Sequence, residues 1–186
     1  MLALALACSS SSLVVAQNVY IDAAGNYVAI LPERDENLIG KWRSEAIRED
    51  NASLIIFFEF KDSGDMVVEF NTEYDFPDVG TVQSLVKVTG EYLIENGTFY
   101  SDLNDKGVTV DISEMTLKVQ SEDDIDRSVF DQINAQIKAD LNKRVNYIFN
   151  NIDYQNVPYR FLEDDKMTVE IPDEYRPLKL KFQRVF

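Results

Sequence analysis

The sequence predicts a mainly β protein: an antiparallel up-and-down β-barrel of eight or nine strands, with one long amphipathic helix inserted before the last strands. Three observations lead to this fold class. Apolar and polar residues alternate from residue 38 to about residue 120, with short polar turns between the runs. From about residue 122 to 150, apolar residues instead recur every three or four positions, as on one face of a helix. Strict alternation then returns over residues 178–185.

The first 16 residues have the pattern of an export signal. Their apolar Leu-Ala run is too short for a membrane-spanning helix, which needs about 20 apolar residues. Two processing routes stay open. Cys8 after Ala-Leu-Ala resembles the lipobox of bacterial lipoproteins, and Val14-Val15-Ala16 resembles a cleavage site that releases a chain starting at Gln17. Both predict an exported protein, which is either periplasmic or secreted, or is a lipoprotein of the outer membrane or cell surface.

The remainder of the chain, roughly 170 residues, suits one domain with a single core. We assign residues 38–186 to the barrel domain. Residues 17–37 are either an added hairpin or a stalk that ends at Pro32. Because Cys8 is the only cysteine, the mature fold has no disulfide and depends on its core.

Turn signals separate the predicted strands. The first covers Leu38–Ile47. The clearest hairpin joins Leu54–Phe60 to Met66–Phe70, and Gly64 in its turn can adopt a positive φ. Further strands are predicted at Ser84–Ile94, Thr98–Tyr100, Val108–Ile112, Met115–Val119, Tyr159–Leu162, Met167–Ile171 and Leu178–Val185.

Two local signals refine the long strand Ser84–Ile94. Gly90 predicts a bend or a bulge within it, because glycine inside a strand often marks such a site. Asn96-Gly97 is a tight-turn dipeptide that leads directly into the returning strand. The order of neighbouring strands and short turns is typical of an antiparallel meander.

The helix is predicted over about residues 122–150, with Ser121 as its N-cap. It either continues through Asn150-Asn151 or breaks there. Its apolar face should cover the outside or the open end of the barrel. That face comprises Val129, Ile133, Ile137, Leu141, Val145, Ile148 and Ile152, and the polar face comprises Asp131, Gln132, Lys138, Asp140 and Lys143.

Two short motifs resemble those of lipocalins and related bacterial lipocalin-like domains. Gly40-Lys41-Trp42 is similar to the Gly-x-Trp that opens these barrels, and Leu178 to Arg184 is similar to their last strand. The resemblance implies that Trp42 packs across one end of the barrel. The helix before the last strands and the lack of a disulfide differ from animal lipocalins, and they favour bacterial exported lipocalin-like families, many without an assigned function.

Composition argues against several functions. With 33 acidic and 18 basic residues the net charge is −15, which repels nucleic acids and anionic lipids. Only a lipid anchor at Cys8 would therefore attach the chain to a membrane.

The chain has no histidine, so triad hydrolases and histidine-ligated zinc sites are excluded. The pairs Asp123/Asp124 and Asp164/Asp165 lack an apolar pocket that would separate their pKa values. Asp102–Gly107 departs from a calcium loop and is expected to be a turn. We expect no enzyme, metal or cofactor.

Two non-enzymatic hypotheses remain from the sequence. The barrel carries a small apolar molecule, or it has a solid core and its surface binds a protein or a glycan. The first hypothesis predicts a cavity lined by inward side chains, with Trp42 at its end: Ile56, Phe58, Met66, Val68, Leu85, Tyr92 and Leu180. The 11 Phe and nine Tyr residues of the chain are enough to fill such an interior.

Overall fold

A computed structural model describes residues 19–21, 27–29, 35–77, 80–103, 107–113, 115–118, 127–151, 156–171 and 177–186. The chain divides into two compact units, Met1–Pro32 and Glu33–Phe186. In the first unit, β1 (Val19–Ile21) pairs antiparallel with β2 (Tyr27–Ala29), which makes a hairpin. Cys8, Gln17 and the predicted signal lie outside the described residues.

The second unit contains eleven described strands and one described helix. The helix α1 covers Arg127–Asn151. The strands are β3 (Gly40–Ser44), β4 (Ile47–Glu49), β5 (Ala52–Phe60), β6 (Asp65–Phe76), β7 (Gly80–Glu95), β8 (Thr98–Leu103), β9 (Thr109–Ile112), β10 (Thr116–Leu117), β11 (Val157–Glu163), β12 (Lys166–Ile171) and β13 (Leu178–Val185).

Eight of these strands close into an antiparallel barrel, in the order β3, β5, β6, β7, β8, β11, β12 and β13. The ring closes because β13 pairs with β3, with Arg184 opposite Trp42 and Phe182 opposite Ser44. Neighbours in the barrel follow one another along the chain, which is the up-and-down topology. The predicted fold class, a lipocalin-like barrel with a helix before the last strands, is confirmed.

The predicted hairpin turns have the backbone that their residues favour. Gly64 has φ 91° in the turn between β5 and β6. Asn96 and Gly97 have φ 51° and 73° between β7 and β8, and a two-residue hairpin loop of this kind needs positive φ at both positions. These turns set the register of β5 against β6 and of β7 against β8.

The first predicted strand, Leu38–Ile47, is interrupted after Ser44. The Ser44 hydroxyl accepts a hydrogen bond from the Ile56 N–H at 2.8 Å, and the Glu45 N–H donates to Lys181 O at 2.9 Å. The side chain of Ser44 thus replaces a backbone acceptor, and the chain leaves the ladder before it resumes as β4. A second difference from the prediction is the length of β6, which continues to Phe76 and not only to the predicted end at Phe70.

The helix packs on the part of β6 and β7 that extends past the barrel. Leu141 and Ile137 of α1 contact a cluster that includes Val82, Met115 and Tyr74. Tyr74 lies an even number of positions from inward-facing Met66, so it belongs to the same face of β6. The helix therefore covers a continuation of the inward face. The N-cap Ser121 lies outside the described residues.

Gly90 lies where β7 changes partners, and the register against β6 continues through it without a bulge. On one side it faces Met66, and on the other it faces Leu103. A Cβ at this position would overlap the Asp102 carbonyl oxygen and would lie 2.9 Å from Leu103 Cα. Glycine is needed here because β8 approaches closely, and the bulge allowed by the sequence is not formed.

We expect Gly90→Ala to lower the free energy of unfolding by about 1–3 kcal/mol, because the added methyl must displace the β8 backbone. Urea denaturation measures this change. The control is Thr89→Ala, at the exposed neighbouring position, with an expected cost below about 1 kcal/mol. Equal costs at the two positions would contradict the close approach of β8.

Candidate functional site

The barrel interior is packed with aromatic side chains. Phe58 of β5 stacks on Phe182 of β13 with ring centroids 4.9 Å apart, and its edge meets Phe99 of β8 at 5.6 Å. Phe60 lies 5.1 Å from Phe99 and 5.0 Å from Tyr92. Distances of this size are those of rings in direct contact. The rings therefore occupy the space in which a barrel ligand would lie.

These rings come together because strand alternation points them inward from strands that are distant in sequence. In β5, Ile56, Phe58 and Phe60 are buried, while the intervening Phe57 and Glu59 are partly exposed. Between Phe58 and Phe99 the chain passes through β6 and β7 and three connections between antiparallel strands. Only closure of the barrel puts their side chains in contact.

Seven of the eight residues predicted to line the interior lie in or against the main core. Tyr92 is partly buried, and its hydroxyl donates to Lys61 O at 2.9 Å. The other six are buried: Trp42, Ile56, Phe58, Met66, Val68 and Leu180. Their assignment as ligand-binding residues stays a prediction.

Leu85 does not line the interior, and the prediction of its position is wrong. Its side chain is 38% exposed, and its partners across the sheet are Asn71 and Asp111. Within β7 the inward positions are instead those of Ser84 and Val86, which are both buried. Successive strand residues point to opposite faces, so Leu85 must face outward despite being apolar.

Trp42 is fully buried and is held from two directions. Its Nε1–H donates to Leu38 O at 2.8 Å, and the Arg184 guanidinium lies 4.5 Å above its ring. Arg184 also donates to Ile39 O at 2.8 Å and to Asn37 O. The side chains of Trp42 and Arg184 thereby fasten the segment before β3 to the barrel.

Residues 35–39 of this segment belong to the barrel unit. The sequence leaves open whether residues 17–37 belong to the barrel. Asp35 accepts a hydrogen bond from the Tyr159 hydroxyl at 2.8 Å, which ties it to β11. Local sequence predicts neither the Tyr159–Asp35 contact nor the Arg184–Ile39 contact, since each joins residues more than 120 positions apart.

One groove of about 510 Å³ crosses the outer face of β5, β6, β7 and β9. Its lining includes the carboxylates Glu73 and Asp111 and the amides Asn71 and Gln83. Gln83 Nε2 donates to Glu73 at 3.2 Å, so part of this polar lining is already paired.

A second groove, of about 460 Å³, crosses the outer face of β13 and its neighbours, and we call it the β3–β13 groove. Its lining includes the side chains of Arg43, Lys166, Lys181, Gln183 and Val185, together with Glu45 and Leu162. Gln183 lies between Arg43 and Lys166, because it pairs with the first across β3 and with the second across β12.

Lys166 Nζ lies 2.5 Å from Glu163 Oε2. The hydrogen bond to Glu163, the charge of Glu163 and the charge of Asp165 together raise the pKa of Lys166 above its usual value of 10.5. Lys166 therefore carries its positive charge throughout the neutral range. The groove is not predicted by the sequence. The alternation of Lys179, Lys181 and Gln183 showed polar residues on one face of β13, but not which strands flank it.

Of the carboxylate pairs considered for catalysis, the described pair Asp164/Asp165 does not form an enclosed site. Asp164 and Asp165 occupy the turn between β11 and β12, with Asp164 exposed, whereas Asp123 and Asp124 lie outside the described residues. In the part of the chain that the structure describes, no group of three or more metal-binding side chains could hold an ion.

Among the residues with described positions, no helix combines the length and hydrophobicity needed to cross a membrane. The chain matches no family model and no curated protein.

Proposed function

We propose that this chain is an exported, non-catalytic, lipocalin-like domain with a solid barrel, which acts as an interaction module through its outer surface. One observation carries this proposal. The rings of Phe58, Phe60, Phe99 and Phe182 contact one another through the middle of the barrel. A barrel of eight strands has an interior that either side chains or one small ligand can fill, and the contacts among these rings favour side chains.

The proposed membership of a bacterial lipocalin-like family rests on both sequence motifs. Trp42 of the Gly-x-Trp motif and Arg184 of the last strand are in direct contact, with the guanidinium 4.5 Å from the ring. They pair across the strands that close the barrel. The two motifs on which the resemblance rests are therefore in contact in the fold, which supports the use of both as evidence for the family.

Mass spectrometry of the protein purified from an export-competent host tests the proposed function. We expect the native spectrum to show the polypeptide without an apolar adduct, because the rings of Phe58, Phe99 and Phe182 contact one another inside the barrel. A stoichiometric adduct that is lost on denaturation would instead establish a carrier and contradict the solid barrel. The same mass distinguishes a chain lipidated at Cys8 from one that begins at Gln17.

A further inference from the structure

We propose that the β3–β13 groove binds an acidic peptide segment of a partner protein. This inference rests on the proposed function, since it assigns the surface through which the interaction module acts and the chemistry of what it binds.

The charge of the groove is opposite to that of the chain. The whole sequence has 33 acidic and 18 basic residues. The groove lining instead contains Arg43, Lys166, Lys181 and Arg184 against one acid, Glu45. Two further carboxylates, Glu163 and Asp165, lie beside Lys166 at the edge of the groove. An acidic ligand is therefore complementary to this surface, while the groove across β5–β9, with Glu73 and Asp111, has the reverse character.

Within the described part of the chain, two of the cations have no carboxylate partner. Arg43 and Lys181 are exposed, and neither forms an ion pair with any carboxylate of the described residues. Lys166 is paired with Glu163, and Arg184 is engaged by Trp42 and two main-chain carbonyls. The binding contribution is accordingly assigned to Arg43 and Lys181. Arg43 adds a planar group that can hold a carboxylate by two parallel hydrogen bonds.

The spacing suits an extended peptide. Arg43 and Lys166 flank Gln183 on adjacent strands, so their Cα atoms are about 10 Å apart, and Lys181 lies about 7 Å along β13 from Gln183. About three residues of extended chain cover such a distance. The exposed amide of Gln183 lies between the cations. Its Nε2 donates to Asp165 Oδ2 at 3.4 Å, and its carbonyl oxygen can accept a hydrogen bond from a peptide N–H.

The apolar residues beside the cations favour a peptide over a carbohydrate. Leu162 is 50% exposed and Val185 is 42% exposed, and both line the groove. Aliphatic side chains of a peptide can cover them while neighbouring carboxylates meet the cations. The aromatic ring that lines the groove, that of Phe182, is only 2% exposed and offers no platform for a sugar ring.

The net charge of −15 does not prevent this binding. At physiological ionic strength, charges beyond about 8 Å are largely screened, so a ligand in the groove responds mainly to the cations around it. We therefore expect the affinity to fall steeply as salt is added, because the contacts are exposed to solvent.

Fluorescence anisotropy on the full chain tests the proposal, with a dye-labelled peptide of alternating Glu and Val as the probe. Matched peptides carry Gln or Lys in place of Glu. The double variant Arg43→Gln/Lys181→Gln is compared with the control Lys61→Gln/Lys143→Gln, which removes the same charge from exposed sites outside the groove. Circular dichroism confirms that both variants are folded.

We expect only the Glu peptide to bind and the groove variant to weaken its affinity about tenfold, while the control changes it by less than about twofold. No binding of the Glu peptide at low salt, or an equal loss in both variants, would overturn the proposal. Tighter binding of polygalacturonate than of the peptide would assign the groove to an acidic polysaccharide and also overturn it.

Sedimentation of the free protein examines a second copy as the occupant. A dimer that Arg43→Gln/Lys181→Gln dissociates would refute the peptide assignment. The two proposals fail separately: an apolar adduct in the native mass spectrum contradicts the solid barrel, whereas loss of selectivity in the anisotropy assay contradicts the groove.

Discussion

Trp42→Ala is expected to lower the free energy of unfolding by about 3–5 kcal/mol, because it removes the largest buried ring and leaves a cavity. It also leaves Leu38 O without its donor and Arg184 without the ring beneath its guanidinium. Since Trp42 is the only tryptophan, its variants have no tryptophan fluorescence, and their unfolding is followed by circular dichroism.

Trp42→Phe separates packing from hydrogen bonding at this site. It keeps an aromatic ring under Arg184 but loses the Nε1–H, so the expected cost is smaller, about 1–3 kcal/mol. A cost below about 1 kcal/mol for Trp42→Ala would show that this residue does not fasten the segment before β3 to the barrel.

Phe58→Ala is expected to cost about 3–5 kcal/mol, because Phe58 contacts Phe60, Phe99 and Phe182 at once. The matched control is Phe57→Ala, the same change one residue earlier on the outer face of β5. Phe57 is partly exposed beneath Lys41, with Nζ 5.0 Å from the ring, so we expect a loss of only about 0.5–1.5 kcal/mol. Denaturant melts measure both. Equal losses would contradict the register of β5.

The Phe58→Ala variant also checks the solid core. An apolar cavity created in a packed interior can bind small apolar molecules. We expect toluene to raise the melting temperature of Phe58→Ala and to leave that of the wild type unchanged. Saturable stabilisation of the wild type by toluene would reveal a pre-existing cavity and would contradict the proposed function.

Local sequence predicted the meander because strand alternation and turn chemistry act over a few residues. The Lys61–Asp65 turn and the Asn96-Gly97 turn were predicted from residues that tolerate positive φ, and both have it at the expected glycines. The same local patterns missed the interruption after Ser44, where a hydroxyl replaces a backbone acceptor of the ladder. They also misplaced Leu85, because an apolar side chain was given more weight than its position in the alternation of β7.

The amino-acid sequence by itself determined an antiparallel meander of eight or nine strands, the helix before the last strands and an aromatic content large enough to fill the interior. Only the tertiary structure decided which of these aromatic side chains contact one another. Barrel closure brings Phe58, Phe99 and Phe182 into contact and sets Arg184 over Trp42. It also gathers Arg43, Lys166 and Lys181 around one groove of an acidic protein. The physical reason is that periodicity specifies which face a residue occupies, whereas the pairing of distant strands specifies its neighbours.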